Sequence, residues 1–243
     1  MWPTLITLGS VNFHSFGVMV FLGLWFGGFK LWRRAKEEGW DEAAIMDSWL
    51  LAGAAALIFG RLGFIVSRWG EFGGSWYKMI FLTKFPGLSA EGAWLGGVTA
   101  LMILAFKKRF DLWHFAEAAV PALLIVEMFT RVGSFLAGSN LGPVQLMWAL
   151  ALVLVYWLIN YWERHYRGFG WAKEGFLVAV YLMLLGGLKI GLGFFEERSG
   201  QWWGIGFMSF GGLILILRSG ITIKVPAQKA KKPKRKKRGF DYV

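Results

Sequence analysis

The sequence of 243 residues has no cysteine, only three histidines and few charged side chains. Without cysteine the chain has no disulfide, thiolate metal site or cysteine nucleophile of its own. Three scattered histidines do not suggest a histidine-built metal centre, so we expect neither a metal nor a cofactor. Charged residues make up 17% of the chain, against about 25% in average soluble proteins. This scarcity argues against a disordered chain, a coiled coil and an ordinary soluble enzyme.

Apolar and aromatic residues dominate what remains. Hydrophobic residues make up 56% of the chain and aromatic residues 18%, with 15 tryptophans and 33 glycines. Seven apolar stretches are long enough, at about 20 residues each, to cross a bilayer as helices. The sequence therefore predicts an all-α polytopic membrane protein with seven transmembrane helices. The stretches run from Val11 to Trp32, Ala43 to Val66, Leu88 to Phe106, Leu112 to Leu136, Pro143 to Trp162, Gly175 to Phe195 and Gly200 to Leu217.

The basic residues between these stretches predict the orientation. Twenty of the 27 Lys and Arg lie after the first, third, fifth and seventh stretches, and only Arg68, Lys78, Lys84 and Arg198 lie in the alternate loops. Loops rich in Lys and Arg stay in the cytoplasm. We therefore expect an outside N-terminus, a cytoplasmic C-terminus and a location in the bacterial cytoplasmic (inner) membrane.

Composition divides the chain into a membrane domain, residues 1–217, and a basic tail, residues 218–243. Within the first, residues 69–86 are aromatic and lightly charged, which is typical of a segment lying on the outer membrane interface. The tail contains the run KAKKPKRKKR. Such a run could bind RNA or the ribosome, but its place after a final apolar helix favours a disordered cytoplasmic anchor on anionic lipid. We therefore expect the lipid bilayer as a partner and no nucleic acid.

Three basic residues remain after those of the loops are counted, and all lie near the outer end of a predicted span: Arg61, Arg131 and Lys189. A charge in the bilayer costs roughly 2.5–3.5 kcal/mol on the insertion scale, so three of one sign at one depth suggest a shared anion. That anion could be a lipid phosphate, which suits the planar fork of arginine. It could equally be a carboxylate that locks helices together without further function. The carboxylates in reach are Glu91, Glu127, Glu196 and Glu197.

Glu91 opens the third predicted span in the run LSAEGAWLGG. A carboxylate at a helix N-terminus is stabilised by the helix dipole, and Ser89 could cap the same helix. The alternative is a buried Glu91 that acts as a proton acceptor. Both interpretations remain open from the sequence.

Several motifs, taken in order, resemble the bacterial prolipoprotein diacylglyceryl transferase family from Pro3 to Leu217. FGRLGFIV is similar to the family motif that carries an arginine, here Arg61. TRVGSFLAGSNLG is similar to the family signature, with Arg131 at its arginine. The other similar segments are FHSFGVMVFLGLWFG, LSAEGAWLGG, FAEAAVPAL with Glu117 at a family aspartate, GPVQLMW with Gln145 retained, and GLKIGLGFFEER with Lys189 at a family arginine.

The resemblance implies seven spans and transfer of diacylglyceryl from phosphatidylglycerol to the lipobox cysteine of a prolipoprotein, whose signal peptide would be a second partner. It implies that Arg131 holds the lipid phosphate, that Arg61 and Lys189 assist, and that Glu91 takes the thiol proton. It further implies that headgroup hydrogen bonds come from Gln145, Ser134 and Asn140.

The sequence departs from the family pattern where protons would be handled. Glu91 stands at a family histidine, Ser134 at an asparagine, Ser139 at an acidic residue and Gly193 at a glutamate. Two alternatives to the transferase therefore stay open. One is a relative that has lost the chemistry and binds anionic lipid or signal peptides. The other is a small-solute transporter, which would need a water-filled path through the bundle.

Overall fold

A computed structural model describes residues 4–8, 11–72, 77, 79, 87–139, 142–166, 174–193 and 199–218. Within these ranges the chain forms seven long helices, one short helix and a β-hairpin. Asn140 and residues 219–243 of the predicted tail lie outside the described residues, as does most of the segment 73–86. The helices are α1 (Ser15–Glu37), α2 (Glu42–Ser67), the short α3 (Trp69–Phe72), α4 (Ala90–Lys107), α5 (Leu112–Leu136), α6 (Gly142–Tyr166), α7 (Phe176–Leu192) and α8 (Ser199–Arg218).

Five of these helices, α1, α2, α4, α5 and α6, are long and apolar enough to cross a membrane, whereas α7 and α8 are shorter apolar helices. The chain is therefore a multi-pass membrane protein. Aspartates are the N-caps of two helices: Asp41 accepts hydrogen bonds from the backbone of Ala43 and Ala44 at the start of α2, and Asp111 caps α5 in the same way.

The N-terminus differs from the sequence prediction. The first span was expected to begin at Val11, but α1 begins at Ser15 and is preceded by a hairpin. Strand β1 (Thr4–Leu8) pairs antiparallel with β2 (Val11–His14). Three of the five residues of β1 are β-branched and β2 contains a valine and a phenylalanine, residue types that favour extended backbone. Apolarity alone could not separate this strand from the helix that follows.

Antiparallel helix pairs build the bundle: α1 packs on α5, α2 on α4 and α7 on α8. We call the end at which α1 begins the outer end and the end at which it ends the inner end, following the predicted orientation. Large apolar side chains such as Phe21, Trp25 and Leu154 point outward and are more than half exposed. A soluble monomer rarely presents so much apolar surface, which agrees with a surface covered by lipid.

Glycines explain how closely these pairs approach. A Cβ atom on Gly60 would lie 3.1 Å from the Cβ of Ala93 on α4, and one on Gly133 would lie 2.9 Å from the Cβ of Met19 on α1. The glycines beside Arg61 and Arg131 therefore serve helix packing. Gly187, which precedes Lys189, faces open space instead.

Candidate functional site

Arg131 lies on α5, five residues before that helix ends, and is partly buried. Its NH1 donates a hydrogen bond of 3.1 Å to Oε1 of Gln145 near the start of α6. Its NH2 lies 3.9 Å from Oε1 of Glu127, one turn deeper on the same helix. At that separation the pair is an ion contact without a hydrogen bond. Gln145 thus orients the guanidinium.

A fully buried tryptophan joins this arginine to the second intramembrane cation. Trp148 follows Gln145 by one turn on α6 and is 0% exposed. The guanidinium carbon of Arg131 lies 4.4 Å from the Trp148 ring centroid, and Nζ of Lys189 lies 5.9 Å from the same centroid. Lys189 is also 5.9 Å from the ring of Phe207 on α8. Both cations are therefore held by cation–π contacts at one aromatic ring.

Three buried polar atoms in this cluster have no hydrogen-bond partner among the described residues: Nε1 of Trp148, Oε2 of Glu127 and the hydroxyl oxygen of Tyr181. Buried polar groups in proteins are nearly always hydrogen-bonded, and an exception calls for an explanation such as an absent ligand or water. The hydroxyl of Tyr181, on α7, is buried in the same region, close to Glu127 and Trp94. The cluster therefore retains both positive charge and unused hydrogen-bonding capacity.

Arg61 has different partners. It is 6% exposed, near the outer end of α2, and its Nε and NH1 donate 3.0 Å hydrogen bonds to the carbonyl oxygens of Met79 and Gly87. Its guanidinium also lies over the rings of Phe64 and Phe72. These contacts fasten the segment between α2 and α4 to the bundle. The described contacts thus bring Arg131, Gln145 and Lys189 together at Trp148, and they assign Arg61 to the neighbouring segment.

Glu91 lies in the first turn of α4, and its side chain is exposed. Oγ of Ser89 donates a 3.0 Å hydrogen bond to Oε2 of Glu91 and accepts one of 3.2 Å from the backbone of Gly92. Ser89 is therefore the N-cap, as the sequence suggested, and Glu91 has the position of a carboxylate stabilised by a helix N-terminus. The exposed side chain does not match the expectation of a buried proton acceptor.

The remaining candidates contribute less direct evidence. Oγ of Ser134 donates a 3.1 Å hydrogen bond to the carbonyl oxygen of Thr130 in its own helix, which leaves only its lone pairs for a ligand. Asn140 lies outside the described residues. Oγ of Ser139, three residues after α5 ends at Leu136, is buried without a partner among the described residues. No group of three His, Cys, Asp or Glu suited to a metal occurs in the described ranges.

Sequence reasoning recognised the charges of this cluster and missed its other members. Trp148 ends the quoted segment GPVQLMW, in which Gln145 alone was singled out. Glu127 was noted only as a carboxylate in reach; its spacing of four from Arg131 is the signal that would have paired them. Tyr181 gave no signal, because a tyrosine within an apolar span is ordinary. As a whole, the cluster combines a guanidinium and an ammonium, two groups that bind phosphate in proteins.

Comparisons with known proteins agree with the motif order. The sequence model of the family described as prolipoprotein diacylglyceryl transferase matches residues 3–217. A phosphatidylglycerol--prolipoprotein diacylglyceryl transferase of Halalkalibacterium halodurans is 27% identical over 156 residues, which cover 64% of this chain and 54% of that protein. One of Thermosynechococcus vestitus is 25% identical over 146 residues, covering 60% of this chain and 54% of that protein. The matched parts thus span about half the length of these curated relatives. Because the family match extends over most of the sequence, the chain belongs to the prolipoprotein diacylglyceryl transferase family.

Proposed function

We propose that this protein transfers diacylglyceryl from phosphatidylglycerol to the cysteine of a prolipoprotein. The observation that carries the proposal is the pairing of Arg131 and Lys189 at the ring of Trp148 within a family member. Two cations at one buried ring repel each other, and the nearby carboxylate of Glu127 approaches Arg131 only to 3.9 Å. A lipid phosphate would supply an anion to join them, and the partnerless Nε1 of Trp148 would donate a further hydrogen bond to it.

The reaction requires charge stabilisation and one proton transfer. The cysteine sulfur of the precursor forms a thioether bond with the terminal glyceryl carbon, and the bond between that carbon and the phosphate oxygen breaks. Glycerol phosphate leaves, and its negative charge is stabilised by Arg131 and Lys189. The thiol proton passes to a carboxylate. Gln145 orients Arg131, and Ser134 and Asn140 are proposed to accept or donate hydrogen bonds at the headgroup.

Two carboxylates are candidates for the proton acceptor. Glu91 stands at the family histidine, but it is exposed and already accepts a hydrogen bond from Ser89. Glu127 lies one turn from Arg131, and its Oε2 is buried with no partner among the described residues. A free lone pair beside the phosphate-binding cations favours Glu127 as the base. Glu91 then remains as a group that meets the precursor at the outer end.

The proposal includes a topology and a location. Seven spans, an outside N-terminus and a cytoplasmic C-terminus would place the cation cluster in the outer half of the cytoplasmic membrane. Support comes from the basic loops and from seven long helices in the described residues. Arg61 is proposed to act indirectly, by holding the segment after α2 against the bundle, rather than by touching the phosphate.

The test is transfer of labelled diacylglyceryl from phosphatidylglycerol to a synthetic precursor peptide by purified protein. Arg131→Ala should lower the rate about 10²–10³-fold, the usual effect of losing one donor to a developing oxyanion. Arg131→Lys should restore only part of it, because an ammonium cannot make two parallel hydrogen bonds. Arg109→Ala, which removes an exposed arginine between α4 and α5, is the matched control and should leave the rate unchanged.

Glutamine substitutions decide between the two carboxylates. Glu127→Gln keeps the shape and removes the proton acceptor, so transfer should fall while binding of phosphatidylglycerol persists. Glu91→Gln should leave transfer within a factor of about three, a difference well below 1.4 kcal/mol in activation free energy. The opposite pair of results would assign the proton to Glu91. If the unmutated protein binds lipid but transfers none, the transferase proposal is wrong, and the alternative of a lipid-binding relative without the chemistry is retained.

A further inference from the structure

The inner end of the bundle contains a polar cavity that the transfer reaction does not use. Its volume is about 290 Å³, and it lies between α1, α5 and α6. Pro121 of α5 forms part of its wall, and the charged groups come from the last turns of α1 and from α6. Those groups are Lys30, Arg33, Arg34, Glu37 and Glu163.

We propose that this cavity binds the phosphodiester headgroup of an anionic membrane lipid, with Lys30 as its principal contact. Nζ of Lys30 donates a 3.1 Å hydrogen bond to Oδ1 of Asn160 and lies 5.9 Å from the ring centroid of Tyr156. No carboxylate oxygen lies within salt-bridge distance of Lys30 in the described chain. A half-buried ammonium held only by a neutral amide and a ring retains charge for a ligand.

The neighbouring arginines form ion pairs with carboxylates, whereas Lys30 forms none in the described chain. Arg34 forms ion pairs of 2.9 Å with Glu163 and 2.8 Å with Glu38, and Arg33 pairs with Glu37 at 3.2 Å. The Arg33 pair is exposed, so it contributes little and can be exchanged for a contact with a ligand. Arg34 still presents a buried Nε with no acceptor among the described residues.

The charges of the lining select the kind of anion. Arg33 and Arg34 are paired with carboxylates, so Lys30 is the lining cation without an ion pair in the described chain, and its one charge matches the single negative charge of a phosphodiester. A phosphate monoester or inorganic phosphate carries about 1.5 to 2 negative charges at neutral pH. The carboxylates of Glu37 and Glu163 would repel the additional charge. The volume is about ten times the roughly 30 Å³ that a water occupies, which is enough for a phosphate with a small alcohol.

The position of the cavity favours a lipid over a soluble phosphodiester. Basic pockets between transmembrane helices at the cytoplasmic side bind anionic headgroups, which the bilayer supplies at high local concentration. Lys30 lies two turns inside the end of α1, at the depth where headgroup and acyl chain meet. This proposal does not depend on transferase activity, since the cavity is at the opposite end of the bundle from Arg131.

Native mass spectrometry of the full-length protein, released from phosphatidylcholine nanodiscs and titrated with phosphatidylglycerol, tests the site. Lys30→Gln should weaken one class of bound phosphatidylglycerol at least about tenfold, as expected for a hydrogen bond to a charged group. Lys36→Gln is the matched control, because it removes the same charge from an exposed lysine of the same helix. Arg131→Ala should retain the Lys30-dependent lipid, which separates the two sites.

A second variant covers the case in which Lys30→Gln does not fold. Asn160→Asp places a carboxylate where the amide oxygen now accepts from Lys30, so the ammonium becomes paired and the lipid should be lost from a stable protein. Equal retention by Lys30→Gln, Asn160→Asp and Lys36→Gln would overturn the proposal. Lys30-dependent retention of inorganic phosphate or glycerol phosphate at lower concentration than phosphatidylglycerol would overturn the assignment to a lipid.

Discussion

Glu117 offers a sharp test of how the inner end is held together. Its side chain is 9% exposed within α5. Oε1 accepts a 2.7 Å hydrogen bond from the backbone N–H of Gly175 and a 3.0 Å bond from that of Leu177. These amides belong to the first turn of α7, where four N–H groups lack partners within the helix. One carboxylate from another helix therefore caps α7, with favourable interaction with its dipole.

The structure sets the size of the effect. Glu117→Ala leaves two amide donors without an acceptor at Gly175 and Leu177, which are both buried. Each unsatisfied buried group costs about 1–3 kcal/mol, and water entering the space left by the side chain would reduce the sum. We expect a loss of about 3 kcal/mol in the free energy of unfolding. Glu117→Gln keeps an acceptor oxygen and loses only the charge, so about 1 kcal/mol should be lost.

Reversible unfolding of the purified protein in detergent would measure this difference. Asp47→Ala is the matched control, because it removes an exposed carboxylate from α2, and changes at such sites stay within about 0.5 kcal/mol. A loss of 3 kcal/mol corresponds to roughly 6–12 °C in Tm for a chain of this size. If Glu117→Ala unfolds no earlier than Asp47→Ala, the carboxylate does not cap α7 and the reasoning is refuted.

Two further predictions concern the same end of the bundle. Gly175→Ala should lower the free energy of unfolding by about 2–4 kcal/mol, because Gly175 has a φ of +99° and a Cβ there would lie 2.7 Å from Trp113. Gly206→Ala is the control and should be neutral or stabilising, because a Cβ there meets open space. Thermal unfolding of the two variants measures the difference. Hydrogen bonds from the backbone of His114 and Trp113 lower the pKa of Asp111. The ionised Asp111 therefore stabilises the folded protein at pH values above its unfolded pKa of about 3.9, and this stabilisation is lost as pH falls through the lower folded pKa. Asp111→Asn should remove that acid-sensitive part, measured as unfolding free energy between about pH 2 and pH 6; an unchanged pH profile would contradict it.

The helices could be predicted closely from the sequence because apolar length and capping residues act locally. The predicted range Leu112 to Leu136 equals α5, and Asp111 begins it as an N-cap. The prediction failed at Val11–His14, since a strand and the start of a span are both apolar. Partner helices, such as α1 with α5, could not be predicted, because glycine and side-chain shape decide which surfaces fit.

The candidate site was predictable in its charges and unpredictable in its geometry. A cation inside a span is costly wherever it lies, so the sequence marks Arg131 and Lys189. Whether cations at equal depth meet depends on the rotation of each helix about its own axis. Arg61 lies at the expected depth, yet its described hydrogen bonds go to the segment after α2. The hydropathy pattern therefore predicts the depth of a side chain in its span, whereas the rotation of each helix depends on how the helices pack.

Polar groups within the bundle fall into two kinds, and the difference bears on function. Glu117 accepts two backbone N–H groups, and Arg34 pairs with two carboxylates at 2.8–2.9 Å. Such groups satisfy one another's hydrogen bonds and charges, and they stabilise a single arrangement of helices. Around Arg131 the pattern is different, because Glu127 approaches only to 3.9 Å and keeps an oxygen without a described partner. A structural ion pair would close that gap, since a buried charge gains from each hydrogen bond it can form. The partnerless oxygen of Glu127 therefore distinguishes this cluster from the completed pairs of the inner end, and it is the feature on which the proposed transfer depends.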